Sequence, residues 1–156
     1  MALDDDIRIM REVHMLSEVP RDGLRLLAFS AESRILRKGD VLFREGEPAD
    51  GGYIVASGSL DIGRGDGPPQ RIAHRGTMLC GLALLCETEQ TATATAREPS
   101  QVLRISRSLF MRMLDEYPGV AARLHTQLAQ RVLAGAGELA EIGRELARPT
   151  TPRRAE

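Results

Sequence analysis

Residues 76–97 read Gly-Thr-Met-Leu-Cys-Gly-Leu-Ala-Leu-Leu-Cys-Glu-Thr-Glu-Gln-Thr-Ala-Thr-Ala-Thr-Ala-Arg. A turn glycine, Gly76, leads into the short apolar run Leu82-Ala83-Leu84-Leu85. An acidic turn with Glu87 and Glu89 follows. The segment closes on Thr91 to Ala96, where Thr and Ala alternate. Alternation at period two predicts a strand with Thr91, Thr93 and Thr95 on one face and Ala92, Ala94 and Ala96 on the other. The pattern reads first as β-propensity with small-residue packing, rather than as a hydroxyl-lined site.

Upstream, short strand-like runs recur: residues 33–37, 41–43, 53–56, 59–62 and 71–74. Turn signals separate them, namely Lys38-Gly39-Asp40, Glu45-Gly46-Glu47-Pro48, Ser57-Gly58 and the loop from Gly63 to Pro69. Val102 to Ile105 adds a further strand. Such spacing predicts an all-β sandwich or barrel over about residues 31–105. The flanks carry helical spacing instead. Ile7, Met10, Val13 and Leu16 define a short helix over Asp4 to Leu16. Pro20 opens a second, with Leu24, Leu27 and Ala28 on one face. Ser106 to Glu116 fits a third. Val120, Leu124, Leu128, Val132, Leu139, Ile142 and Leu146 then define a long amphipathic helix from about Gly119 to Ala147, roughly 43 Å long. Residues 148–156 are Pro- and Arg-rich and read as a disordered tail.

Composition bounds the function. The chain has 156 residues, the size of one domain, and a formal net charge of -1. That balance argues against binding driven by phosphate neutralisation along a nucleic acid. The acidic start lacks a long apolar run, so no secretory signal is expected, and no segment approaches a membrane span. Cys80 and Cys86 in such a chain suggest free thiols in a reducing cytoplasm. Their spacing is not C-x-x-C, and His14, His74 and His125 are scattered over three elements. Buried small thiols are therefore expected, not a metal or redox pair. No nucleophile elbow, metal-ligand cluster or Walker-type loop is present, so an enzyme is not expected.

The segment 76–97 resembles the phosphate-binding cassette of the cyclic-nucleotide-binding domain family, whose pattern runs G-x-x-x-G-E-L-A-L-L and later R-x-A-T. Leu82-Ala83-Leu84-Leu85 and Ala92-Thr93 match. The residues from Arg37 to Pro48, then Asp50, Tyr53-Ile54-Val55 and Gly58-Ser59-Leu60, look like the family's opening and middle hairpins. The resemblance covers about Leu16 to Leu146 and is nearest to the catabolite-activator-type bacterial regulators. It implies an α+β, mainly β fold: a double-stranded β-helix (jelly-roll) barrel flanked by short N-terminal helices and a long C-terminal helix. One domain is expected over residues 1–147, with barrel 31–105 and C-terminal helices 106–147. The regulators it resembles dimerise through the long helix, so a homodimer through that helix, with a further protein partner, is expected. About ten residues follow the helix, too few for a helix-turn-helix, so direct sequence-specific DNA reading is not expected.

The resemblance places the cyclic-nucleotide site at Cys80, Gly81, Leu82, Ala83, Gln90 and Thr91. Two of these depart from the pattern. Gly81 stands where the family has the Glu that accepts from the ribose 2′-hydroxyl. Gln90 stands where it has the Arg that meets the phosphate. Backbone N–H groups of Gly81 to Leu85 are still expected to point at an anion. Losing one buried charge-assisted partner costs about 2–5 kcal/mol, or roughly 30- to several-thousand-fold in affinity. Glu87 and Glu89 add negative charge beside the site. Arg97 lies too far along the strand to substitute, while Arg71 and Arg75 lie just upstream. The expectation is a regulatory module with weak or lost cyclic AMP and cyclic GMP binding and no other cofactor. A ligand-free dimeric scaffold and a sensor of another small molecule are the alternatives.

Overall fold

The computed structural model describes the backbone of residues 2–134 and the side chains of residues 3–126. Two helices open it, α1 (Ala2–Glu12) and α2 (Arg21–Ser30), with a 3-10 turn at His14–Leu16 between them. The helix expected to run to Leu16 thus stops at Glu12, because Val13 is extended with φ -79° and ψ 122°. Pro20 is the residue before α2, its fixed φ of -63° leading into the first turn.

Ten strands follow: β1 (Glu32–Leu36), β2 (Val41–Phe43), β3 (Pro48–Ala49), β4 (Gly51–Ser57), β5 (Ser59–Gly63), β6 (Arg71–His74), β7 (Met78–Leu79), β8 (Thr88–Glu89), β9 (Thr93–Ala96) and β10 (Ser100–Ser106). They form two four-stranded antiparallel sheets, in orders β1-β10-β4-β7 and β2-β9-β5-β6, with a two-stranded ribbon β3-β8. The fold is mainly β with flanking helices, in the jelly-roll class. Helices α3 (Arg107–Glu116) and α4 (Pro118–Ala134) complete the described residues. Ser106 caps α3, its hydroxyl accepting from the N–H of Leu109 at 3.1 Å. The expected course of the last helix to Ala147, with Leu139, Ile142 and Leu146, and the tail lie outside the described residues.

Two cores explain the sequence pattern. Between the sheets lie Leu36, Phe43, Val55, Leu60, Ile62, Leu79, Ala94 and Val102. On the other side of the first sheet, Ile54, Leu103 and Ile105 pack with Met10, Leu24, Leu27, Phe110 and Met113 of the helices. Strand β4 is therefore covered on both faces, and it reads as a continuous apolar run. Strand β9 alternates instead, with its alanines buried and its threonines half-buried. It begins at Thr93, two residues later than the alternation suggests. Gly58 turns β4 into β5 with φ +81°, and a Cβ there would lie 2.2 Å from Ser100 Oγ. Only glycine fits that corner.

Candidate functional site

The cassette is built by short elements pinned to both cores. Gly76, at φ +87°, reverses the chain after β6. Strand β7 then pairs with β4 through Leu79 and Tyr53. Cys80 follows in the left-handed region, with φ 61° and ψ 36°. Side chains other than glycine, Asn and Asp rarely adopt it. Gly81–Leu84 form a 3-10 turn, where Ala83 and Leu84 are fully buried and anchor it. The chain leaves through β8, which pairs with β3, and reaches Gln90 before β9 starts.

Arg107 braces this turn from outside. Its Nε donates to the carbonyl of Ala83 and its Nη2 to the carbonyl of Ala49, both at 2.9 Å. Its own backbone N–H donates to the Asp50 carbonyl at 2.7 Å. Nothing in the local sequence marks this role, because the partners lie 24 and 58 residues away. Beside it, Arg104 donates to the Asp50 carboxylate at 2.5 Å. That hydrogen bond holds the Asp50 carboxyl below its ordinary range.

A cavity of about 230 Å³ lies between the turn and the second sheet. Cys80, Gly81, Leu82, Ala83, Gln90 and Thr91 all line it, together with Phe43, Ile62, Arg71, Leu79, Glu89 and Ala92. Its volume is below the ~300–1,000 Å³ usual for small-molecule sites. Gln90 is only 5% exposed. Its side-chain Oε1 accepts from the Cys80 thiol, and its Nε2 makes no bond with any described residue. The backbone holds Gln90 firmly, since its N–H donates to Glu47 and its carbonyl accepts from Gly46, both at 2.8 Å.

The charges around the cavity differ from the expected set. Arg75 does not fold back, because its Nη1 pairs with Glu12 at 3.0 Å. Arg97 pairs with Asp61 at 3.2 Å. Arg71, four residues before Arg75, does reach the cavity wall. Glu87 and Glu89 are exposed. The backbone donors are fewer than expected: the N–H groups of Ala83 and Leu85 donate within the turn, to Cys80 and Leu82, at 3.0 Å. A 3-10 turn closes its bonds one residue sooner than an α-helix and uses up those donors. Of the strand threonines, Thr91 reaches the cavity, while Thr93 accepts from the Glu45 N–H at 2.9 Å. Cys80 and Cys86 are half-buried and form no disulfide, and the Cys86 thiol faces the Leu82 carbonyl at 3.7 Å. Among the described residues no helix is long and apolar enough to cross a membrane.

Residues 33–117 match the family profile described as the cyclic nucleotide-binding domain. A solved cyclic nucleotide-binding-like protein from Brucella abortus is 41% identical, with TM-score 0.66, over 72% of this chain and 99% of that one. The sensor domain of the transcriptional regulator DNR from Pseudomonas aeruginosa is 26% identical, with TM-score 0.71, over 83% of this chain and 90% of that one. The HTH-type transcriptional regulator Cmr of Mycobacterium tuberculosis is 30% identical over 115 residues. That match takes in 72% of this chain and 47% of the regulator, so the chain spans about half the length of that relative.

Proposed function

The chain belongs to the cyclic nucleotide-binding domain family, and on that premise we propose that it is a non-enzymatic sensor module that binds cyclic AMP and cyclic GMP weakly or not at all. One observation carries the reading. At the position where the family pattern has an arginine, the buried Gln90 is bonded to Cys80. A neutral amide gives a phosphate at most two uncharged hydrogen bonds, whereas a guanidinium gives a charged fork. The bare Gly81 and the small cavity support the same reading. Calorimetric titration with both cyclic nucleotides tests it: no saturable heat at micromolar concentration is expected, and a micromolar Kd overturns it.

The module acts in the cytoplasm as a homodimer joined through the helix that begins at Pro118. Support comes from the apolar stripe of that helix in the sequence. Light scattering of the wild type should give a dimer mass. Leu128→Glu with Leu139→Glu should give a monomer, and an unchanged mass removes the helix seam.

A further inference from the structure

We propose that the cavity takes a compact monocarboxylate, held by Arg71 on one wall and by the side-chain amide of Gln90 on the other. The inference rests on the reading that a cyclic nucleotide is not the ligand, and it names what takes its place. Arg71 is the sole cation among the described lining residues. Its guanidinium makes no ion pair or hydrogen bond with any described residue, whereas Arg75 and Arg97 are each paired. It stands opposite Ile62 in the β5–β6 ladder, so the strand pairing fixes it at the cavity wall.

Gln90 supplies the second contact. It is nineteen-twentieths buried, and one end of its amide meets Cys80. Whichever way the amide is turned, the other end has no protein partner. A buried polar group left without a partner is costly, and a ligand oxygen accepting from Nε2 removes that cost. Phe43, Ile62, Leu79 and Ala92 supply apolar wall for the ligand's body. Glu89 also lines the cavity and is exposed. Its charge opposes a second anionic group, so a monoanion is favoured over a dicarboxylate or a phosphate ester.

Calorimetry with benzoate, hexanoate, benzamide, succinate and cyclic AMP tests the assignment on the whole chain. Benzoate and hexanoate are expected to bind, with benzamide and succinate weaker. Arg71→Gln should weaken benzoate by about ten- to a hundredfold, the worth of one charge-assisted contact. Arg71→Lys should recover part of the loss. Arg71 is an exposed strand residue, so the unliganded melting temperature should not change. Gln90→Leu should weaken benzoate less, and it serves as the second variant. Carboxylates that bind no better than benzamide, or that bind Arg71→Gln as well as wild type, overturn the proposal. The two readings fail separately. Micromolar cyclic AMP binding overturns the loss of nucleotide affinity, whereas the Arg71→Gln comparison alone decides the carboxylate.

Discussion

Arg107, the first residue of α3, donates from its side chain to the backbone carbonyl of Ala83 in the cassette turn. The floor of the cavity and the first C-terminal helix are thereby joined by a single half-buried guanidinium. Arg107→Met removes donors from two carbonyls, those of Ala83 and Ala49. Urea unfolding should show a loss of about 2–3 kcal/mol. Amide exchange should accelerate at residues 81–85 and not in β9. Uniform acceleration along the chain would show that Arg107 acts on global stability alone.

Restoring the two family side chains should restore nucleotide binding. A Cβ at Gly81 would meet Met78 Cγ at 3.3 Å and Met15 Sδ at 3.4 Å. Both are flexible methionine side chains that yield by a few tenths of an ångström. The Cβ of Gly81→Glu is therefore accommodated, and in Gly81→Glu with Gln90→Arg calorimetry should show cyclic AMP affinity rising by about 30- to several-thousand-fold. No rise would mean that the wall around Arg71 and Glu89, not these two positions, sets the affinity.

Cys80 combines an unfavourable backbone with a favourable side-chain contact, and two substitutions separate them. Cys80→Ala keeps the positive φ and deprives Gln90 of its partner, so it should cost about 1–3 kcal/mol. Cys80→Gly loses the same contact but relieves a strain of about 1 kcal/mol. In urea melts the glycine variant should be the more stable of the two. The opposite order would mean that the thiol's packing outweighs both effects.

The Asp50–Arg104 pair should appear as a pH dependence. The Arg104 hydrogen bond lowers the Asp50 pKa in the folded chain. A depressed carboxyl pKa stabilises the fold above the unfolded value, ~3.9, and that stabilisation disappears as pH falls through the lower folded value. Asp50→Asn should therefore melt below wild type at pH 7. The difference should close as the pH is lowered beneath about 4. Because the Asp50 side chain is 74% exposed, the difference is small and shrinks with added salt. A difference that persists at low pH would assign the effect to shape and not to charge.

The large-scale fold was legible because its causes are local. Turn glycines such as Gly58 and Gly76 declare a positive φ in the sequence itself. The Thr/Ala alternation declares the two faces of β9, and the structure buries the alanine one. Ser106 declares the start of α3. The two-residue strands β3, β7 and β8 were not legible, because a pairing so short leaves no period to read. The left-handed Cys80 was missed because a cysteine gives no sign of that conformation. At the cavity, the six cassette residues came together because they are close in sequence. Arg71 could be named only as one of two upstream arginines, since the pairing of β6 with β5 decides which one faces the cavity. The role of Arg107 depends wholly on distant chain segments.

The helical layer over β4 and β10 is drawn from both ends of the described chain, α1 and α2 before the strands and α3 after them. The same is true of β1, which pairs with β10 about seventy residues later. Loop closure across that span must precede the contacts that reward it, so folding should be slow for a chain of this size. During synthesis, Leu24 and Leu27 meet α1 early but lack Phe110 and Met113 until α3 emerges. The first thirty residues are thus made early and committed last, and an opening at Arg107 would loosen the lock that the final helices close.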